Sequence, residues 1–437
     1  MARILYTWYL NNRNVVVIFK ALEMCLKTDM PRKSREFVKR MFTEYYQELE
    51  FCAPVSIESR EFGFLTFDEQ CMLRHICFKS GNDLKFFLEK TVPSNAYYSC
   101  AYYEQPDAVM DEKGWLGADL IFDIDADHIP TSCAKIHDEW TCTQCNFVGK
   151  GSTPEKCPLC GGQKFEVKTW SCETCLASAK AETVKLLDIL FDDFGFSEEE
   201  THVFFSGHRG YHVHIESEAF RTLNTVARKE IVDYVLGLGL DTSLDGKKSG
   251  RTRLRSIPCL HYYGWHGRLA RGMYNFILQA KPEDYKNIGL KKNIIGTIIQ
   301  SKDRILKSWG SVKPYDAVKG VGIDTWKRII EFCRESQSAK IDTVVTTDVH
   351  RLIRLTSSLH GKTGLKKAEF PVSDIEAFDP FKSAVAFKNG SVTVFVSGVP
   401  EFRLGDEAFG PYKNRKVELP IAAALLLICK NRAEIAE

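Results

Sequence analysis

Asp123 and Asp125 stand two residues apart in the run Asp119-Leu-Ile-Phe-Asp-Ile-Asp-Ala-Asp127. Such an apolar run predicts a β-strand, whose side chains alternate between faces. Ile121, Asp123 and Asp125 then share one face, while Leu120, Phe122 and Ile124 take the other. Two ionised carboxylates that close repel each other when half-buried, and the usual compensation is a divalent cation, which prefers hard oxygen ligands. The chemistry suggested is a metal site; the plainer alternative is the polar side of an edge strand.

A second group of reactive residue types lies in Ser206-Gly-His-Arg-Gly-Tyr-His212, a turn between two apolar stretches. Gly207 and Gly210 let the backbone approach a ligand closely, and neighbouring N–H groups can cradle an anion. Ser206, Arg209 and His212 are donors suited to phosphate oxygens. His212 and His214 lie two apart and so face the same way. Asp342, in Lys340-Ile-Asp-Thr-Val-Val-Thr-Thr-Asp-Val-His350, is a candidate third carboxylate. Beyond it, Arg354 and His360 come close to the same site if Arg351 to Gly361 folds back.

The third group is made of thiols. Of 15 cysteines, Cys133, Cys142, Cys145, Cys157, Cys160, Cys172 and Cys175 crowd between residues 133 and 175. Three CxxC pairs read as metal thiolates in a reducing compartment. Cys142-x2-Cys145 and Cys157-x2-Cys160, the latter followed by Gly161-Gly162, match a four-cysteine zinc ribbon that gains folding energy from its metal. Cys172-x2-Cys175 then lacks a pair, and Cys133 with His137, or with His128 in its place, completes a Cys3His site around the ribbon. Protein ligands fill all four positions of both sites, so both are expected to be structural, because a catalytic zinc keeps one position open. The other eight cysteines, Cys71, Cys77 and Cys259 among them, read as small buried apolar residues.

These groups need a scaffold, and 437 residues suffice for two to four domains. A 44% hydrophobic and 27% charged content excludes a disordered or fibrous chain. Net charge is only +2, so any grip on a polyanion must come from local patches, of which Lys247-Lys-Ser-Gly-Arg-Thr-Arg-Leu-Arg255 is the clearest. No segment approaches the roughly 20 consecutive apolar residues that span a bilayer. The first thirty residues carry apolar stretches split by Asn11-Asn-Arg-Asn14, which argues against a signal peptide.

Periodicity predicts a charged amphipathic helix over 34–50, strands over 60–67, 70–78 and 96–103, and a helix over 176–194. A strand–turn–strand unit is expected over 202–215, and mostly helical stretches over 220–238 and 302–337. Asn389-Gly390 predicts a tight hairpin within 384–396, and Pro420 to Cys429 reads as a buried helix.

In their order, Asp123-Ile-Asp125, the Ser206 to His212 turn, Asp342 and Leu352-Ile-Arg-Leu-Thr-Ser-Ser-Leu-His-Gly-Lys-Thr-Gly364 resemble the catalytic (small) subunit of archaeal and eukaryotic DNA primase, closest to the archaeal form. The resemblance runs from about Ser34 to the C-terminus. It implies an α+β fold: a primase-type core with a mixed β-sheet flanked by helices, an inserted zinc-binding module and a helical lobe. The corresponding division is an N-terminal extension of unknown role (1–33), a core (34–128 and 179–217), a zinc insertion (129–178), a helical lobe (218–338), and core completion with a C-terminal hairpin and helix (339–437).

By the same resemblance, Asp123, Asp125 and Asp342 hold two Mg2+ or Mn2+ ions, and one or two structural Zn2+ ions occupy the cysteine sites. Ser206, Arg209, His212, Arg354 and His360 bind the triphosphate, with Arg354 where the family often has Lys. Glu61 and Arg74 fall where primases carry residues linked to the first nucleotide. The implied activity is template-directed synthesis of RNA primers from NTPs, with dNTPs a further expected substrate. The implied partners are single-stranded DNA and a primase large subunit, with no membrane, in an archaeal-type cytoplasm or a nucleus. Rival readings are a repair-type primase-polymerase, a metal-dependent exonuclease, a non-catalytic zinc-ribbon nucleic-acid binder, and an iron oxygenase built on His212, His214 and Asp123.

Overall fold

The computed structural model describes residues 30–50, 52–67, 71–133, 135–240, 260–309 and 317–436. The extension up to residue 29, the basic run 247–255 and Cys259 lie outside the described residues.

The chain divides into two compact units, the first made of residues 1–180, 198–225 and 344–437, the second of 181–197 and 226–343. The first unit begins with the helix Arg32–Glu48, whose apolar Phe37, Val38, Met41, Phe42 and Tyr46 recur at helical spacing and are buried. Two four-stranded sheets follow. One is ordered Leu352–Arg354, Asn95–Ser99, Phe62–Leu65, Met72–Ile76, and the other Ala368–Phe370, Thr201–Phe205, Gly210–Ile215, Leu120–Asp125. Phe62, Phe64, Phe78 and Phe87 pack edge to face or tilted beside the first sheet.

The α+β class holds, but the expected mixed sheet does not. Every strand pairing among the described residues is antiparallel. The long connections that parallel strands require are taken up instead by the zinc-type insertion and the helical unit. The strand expected over 96–103 is two, Asn95–Ser99 and Ala101–Tyr103, because Cys100 hands the chain from one sheet to another: Ala101–Tyr103 pairs with Trp115–Ala118.

The insertion is a three-stranded sheet ordered Val148–Lys150, Glu139–Cys142, Phe165–Lys168. Trp140 lies flat over Gly149, where a side-chain carbon would come within 2.1 Å of the indole. The helix Glu173–Ile189 follows, continues as one wider turn over Leu190–Phe194, and stops at Gly195 with φ +74°.

At the C-terminus the hairpin expected around Asn389-Gly390 is absent. Only Gly390 of the pair has positive φ, whereas a tight I′ turn needs both, and Ala384 caps the short helix Pro380–Ser383. Ser391–Val399 pairs instead with Tyr412–Pro420 and Ala433–Ile435, and the apolar helix Ile421–Cys429 is buried. Of the scattered cysteines, Cys100, Cys333 and Cys429 are buried as expected, but Cys77 is half-buried and Cys52 exposed.

In the second unit the helices Gly264–Gln279 and Ile323–Gln337 share an apolar core of Met273, Ile277, Tyr285, Ile298, Trp326 and Ile329. Among the described residues no helix is long and apolar enough to cross a membrane.

Candidate active site and thiolate centres

The strand Leu120–Asp125 buries Leu120, Ile121, Phe122 and Ile124 and leaves Asp123 and Asp125 half-buried, so the alternation read from the sequence is realised. Its neighbour Gly210–Ile215 sets His212 opposite Asp123 and Gly210 opposite Asp125. His212 Nε2 lies 3.5 Å from Asp123 Oδ1. Burial first, then the Lys367 and Arg354 charges, hold this imidazole well below its ordinary pKa, so the contact joins a neutral ring to a carboxylate rather than two ions. His212 Nδ1 is buried without a hydrogen-bond partner among the described residues.

The turn preceding His212 is built from Ser206, whose hydroxyl accepts from the N–H groups of His208 and Gly210, each at 3.3 Å. Gly207 sits at φ +83°, and a side-chain carbon there would lie 3.1 Å from His360 Cβ. That close approach lets the Leu359 to Lys366 segment dock on the turn, where Thr363 Oγ1 donates to the Gly207 carbonyl at 2.6 Å. The folding back expected of 351–361 therefore brings its His360 end onto the turn. It places the His360 ring parallel to that of His208, with centroids 5.0 Å apart.

Arg354 is aimed by Asn95, whose Oδ1 accepts from Nη1 at 2.7 Å and also from the Gly361 N–H at 3.1 Å. Its guanidinium lies over the Tyr97 ring. Asp123, Asp125, Ser206, His212, Arg354 and His360 then line one cavity of about 200 Å³, together with Tyr97, His208 and Arg351.

Charge in this cavity is divided. Burial raises Asp125 above the ordinary carboxylate value, against the pull of Arg209, His128 and nearby lysines. On the other side stand Arg354 and, just behind the lining, Lys367 and Lys430. Burial brings both lysines down to about 7, helped at Lys367 by Arg354 and at Lys430 by Arg209. Lys430 Nζ reaches His208 Nε2 at 2.7 Å. Burial first, then the charges of Arg354, Lys430 and Lys362, hold His208 and His360 well below the ordinary imidazole pKa, so both rings are neutral. An acidic wall facing a cationic wall suits a ligand that brings both metal and phosphate.

Four expected site residues do not line the cavity. Arg209 does not line the cavity; the residue is 1% exposed, and its guanidinium is ion-paired with Asp127 and, at 2.8 Å, with Asp138. A buried cation left unpaired is costly, and these carboxylates are within reach where the cavity is not. Glu61 and Arg74 meet at 3.0 Å, but outside the cavity lining, in a cluster with Lys113. Burial favours protonated Glu61, yet Arg74 and Lys113 outweigh it and lower its pKa. Asp342 belongs to the second unit, next to the helix Thr343–Thr347.

Sequence reasoning missed Tyr97, His208, Arg351 and Lys430. His208 and Arg351 stood inside motifs already singled out, whereas nothing in the local pattern of Lys430, at the end of an apolar helix, marks it.

The thiols gather into two four-ligand groups, Cys142, Cys145, Cys157, Cys160 and Cys133, His137, Cys172, Cys175, each with donor atoms within 4.8 Å of one another. His137, not His128, completes the second. Sulfur separations of 3.6 Å (Cys142 to Cys160, Cys145 to Cys157, Cys133 to Cys175) and 3.4 Å from Cys175 to His137 Nε2 fit the edges of a zinc tetrahedron, about 3.8 Å between sulfurs at the usual bond length.

The family model described as DNA primase small subunit matches residues 164–372. A DNA primase small subunit PriS from Methanothrix thermoacetophila is 34% identical over 431 residues, covering 93% of this chain and 100% of the relative. Proteins of the same name are 32% identical in Nitrosopumilus maritimus (92% of this chain, 98% of the relative) and 35% identical in Archaeoglobus fulgidus (91% and 97%).

Proposed function

The chain belongs to the DNA primase small-subunit family, and on that premise we propose that it is the catalytic subunit of a primase, a DNA-directed RNA polymerase that makes short RNA primers on single-stranded DNA from NTPs. The observation that carries this reading is the single cavity in which Asp123 and Asp125 face Ser206, His212, Arg354 and His360.

Asp123 and Asp125 would be oxygen ligands for two Mg2+ or Mn2+ ions, which when bound would activate the attacking hydroxyl and offset charge on the phosphates. In each step the 3′-hydroxyl oxygen bonds to the α-phosphorus of the NTP, its proton passes to solvent water, and the bond between the α-phosphorus and the bridging oxygen of the β-phosphate breaks to release pyrophosphate. Arg354, held by Asn95 and stacked on Tyr97, directs a fixed fork of donors at the triphosphate. Ser206 and the turn N–H groups orient it, while His212 and His360, both neutral, donate without adding charge. The two cysteine groups hold structural zinc. A net charge of +2 gives little general attraction for DNA, so template grip is assigned to a large partner subunit.

The test is primer synthesis on unprimed single-stranded DNA with all four NTPs, with the large subunit present and absent. De novo RNA products that require divalent metal support the reading. Extension only of a pre-existing 3′ end would replace it with a repair-type primase-polymerase, and no incorporation under any condition would leave a zinc-ribbon nucleic-acid binder.

A further inference from the structure

We propose that Asp138 is a positioning residue that ties the Cys133, His137, Cys172, Cys175 centre to the catalytic carboxylate Asp125 and to the phosphate turn. This inference rests on the reading that Asp125 holds a divalent ion during nucleotidyl transfer.

Asp138 is 3% exposed, and every polar contact of its carboxylate is a link in one chain. On one side it meets His137 Nδ1 at 2.8 Å, while His137 Nε2 faces the thiols of Cys133 and Cys175 at 3.5 and 3.4 Å. A carboxylate behind a ligating imidazole fixes the ring's tautomer and direction. On the other side Asp138 accepts from Arg209 Nη1 at 3.1 and 2.8 Å, and from the Trp170 N–H at 2.8 Å.

Arg209 carries the connection onward. Its guanidinium also donates to the Trp170 carbonyl at 3.2 Å and pairs with Asp127. The Asp127 N–H donates to Asp125 Oδ1 at 2.9 Å, and the Ala126 N–H donates to the Arg209 carbonyl at 3.2 Å. Asp125 is thus reached from the thiolate centre through His137, Asp138, Arg209 and Asp127, with no gap wider than a hydrogen bond or ion pair. The segment just before Cys172 grips the same turn, as Ser171 Oγ donates to the His208 carbonyl at 3.0 Å. With Asp138 and Arg209 buried and paired at its centre, this chain has few alternative arrangements, so it fixes the Asp125 carboxylate more tightly than a wholly exposed contact would.

The experiment uses the full chain, zinc-loaded, comparing wild type with Asp138→Asn, Asp127→Asn and Asp125→Ala. Mn2+ affinity is measured by electron paramagnetic resonance, zinc content by mass spectrometry, and KM and kcat by NTP incorporation. With both thiolate centres loaded, Asp138→Asn and Asp127→Asn are each expected to weaken Mn2+ binding and kcat/KM by about 10- to 100-fold, the usual cost of losing an outer-shell partner. Asp127 is partly exposed, so its variant decides the matter if Asp138→Asn does not fold. Mn2+ affinity within twofold of wild type in the folded variants, even with lowered thermal stability, overturns the proposal and leaves Asp138 a merely structural residue. Should Asp125→Ala retain wild-type Mn2+ binding, the catalytic reading itself fails, which is a different result from failure of the relay alone.

Discussion

Gly210 faces Asp125 directly across the antiparallel ladder, and a side-chain carbon on Gly210 would lie 2.3 Å from the Ile124 carbonyl oxygen and 3.0 Å from the Asp125 Cα. Both neighbours are backbone, so neither can swing away. Gly210→Ala must shift the strand that carries the carboxylates, at a cost of about 1–3 kcal/mol. NTP incorporation per folded molecule is expected to fall further than the melting temperature suggests, and an active, merely less stable variant would contradict this.

Asp123→Ala and Asp125→Ala are each expected to reduce primer synthesis to background while leaving zinc content and the melting temperature near wild type. Primer assays beside elemental analysis check this. Near-normal incorporation by either of them removes that residue from the metal-binding set.

Arg354→Lys keeps a positive charge but loses the fork that Asn95 and Tyr97 aim. Hydrogen bonds to charged groups contribute about 1.5–3 kcal/mol, so KM for NTP should rise about 10- to 100-fold in Arg354→Ala and by less in Arg354→Lys. Steady-state kinetics at varied NTP would show it, and an unchanged KM in both variants would place the triphosphate elsewhere.

Lys367 is fully buried, its Nζ 2.9 Å from the Arg354 carbonyl, and burial with the Arg354 charge lowers its pKa from 10.5 to about 7. Between those two values the unfolded chain binds more protons than the folded one, so this group makes stability rise with pH across that window. Below it, the full cost of burying an ammonium is present. Lys367→Met lacks this slope, so in urea unfolding at about pH 6.5 and about pH 9.5 its stability relative to wild type should be greater at the lower pH. A difference that does not change with pH would refute the assignment.

Two zinc ions per chain are expected from the two four-ligand groups. Cys157→Ser should lower the content to one, emptying the ribbon and leaving the centre that contains Cys133 loaded. Elemental analysis of the purified variant decides it; a loss of both ions would mean that the two sites fold as one.

Much of the site was legible from the chain because its parts are local. Asp123 and Asp125 share a face since strand side chains alternate with period two, and the CxxC pairs present two thiols to one ion whatever surrounds them. Gly207 and Gly210 marked a tight turn, and the turn is there, with Gly207 at positive φ. The choice between His137 and His128 was not local: both lie near Cys133 in sequence, and only folding brought His137 to Cys175.

By itself, then, the sequence determined which residue types meet at short range: paired carboxylates, a glycine turn and two sets of thiols. Tertiary structure alone decided where Arg209 points, that Lys430 sits behind His208, and that Ser391–Val399 pairs with Tyr412–Pro420 instead of closing a tight hairpin. The reason is competition. A buried cation or an unpaired strand edge takes the partner whose burial costs least among everything the fold brings near, and that comparison spans residues hundreds of positions apart.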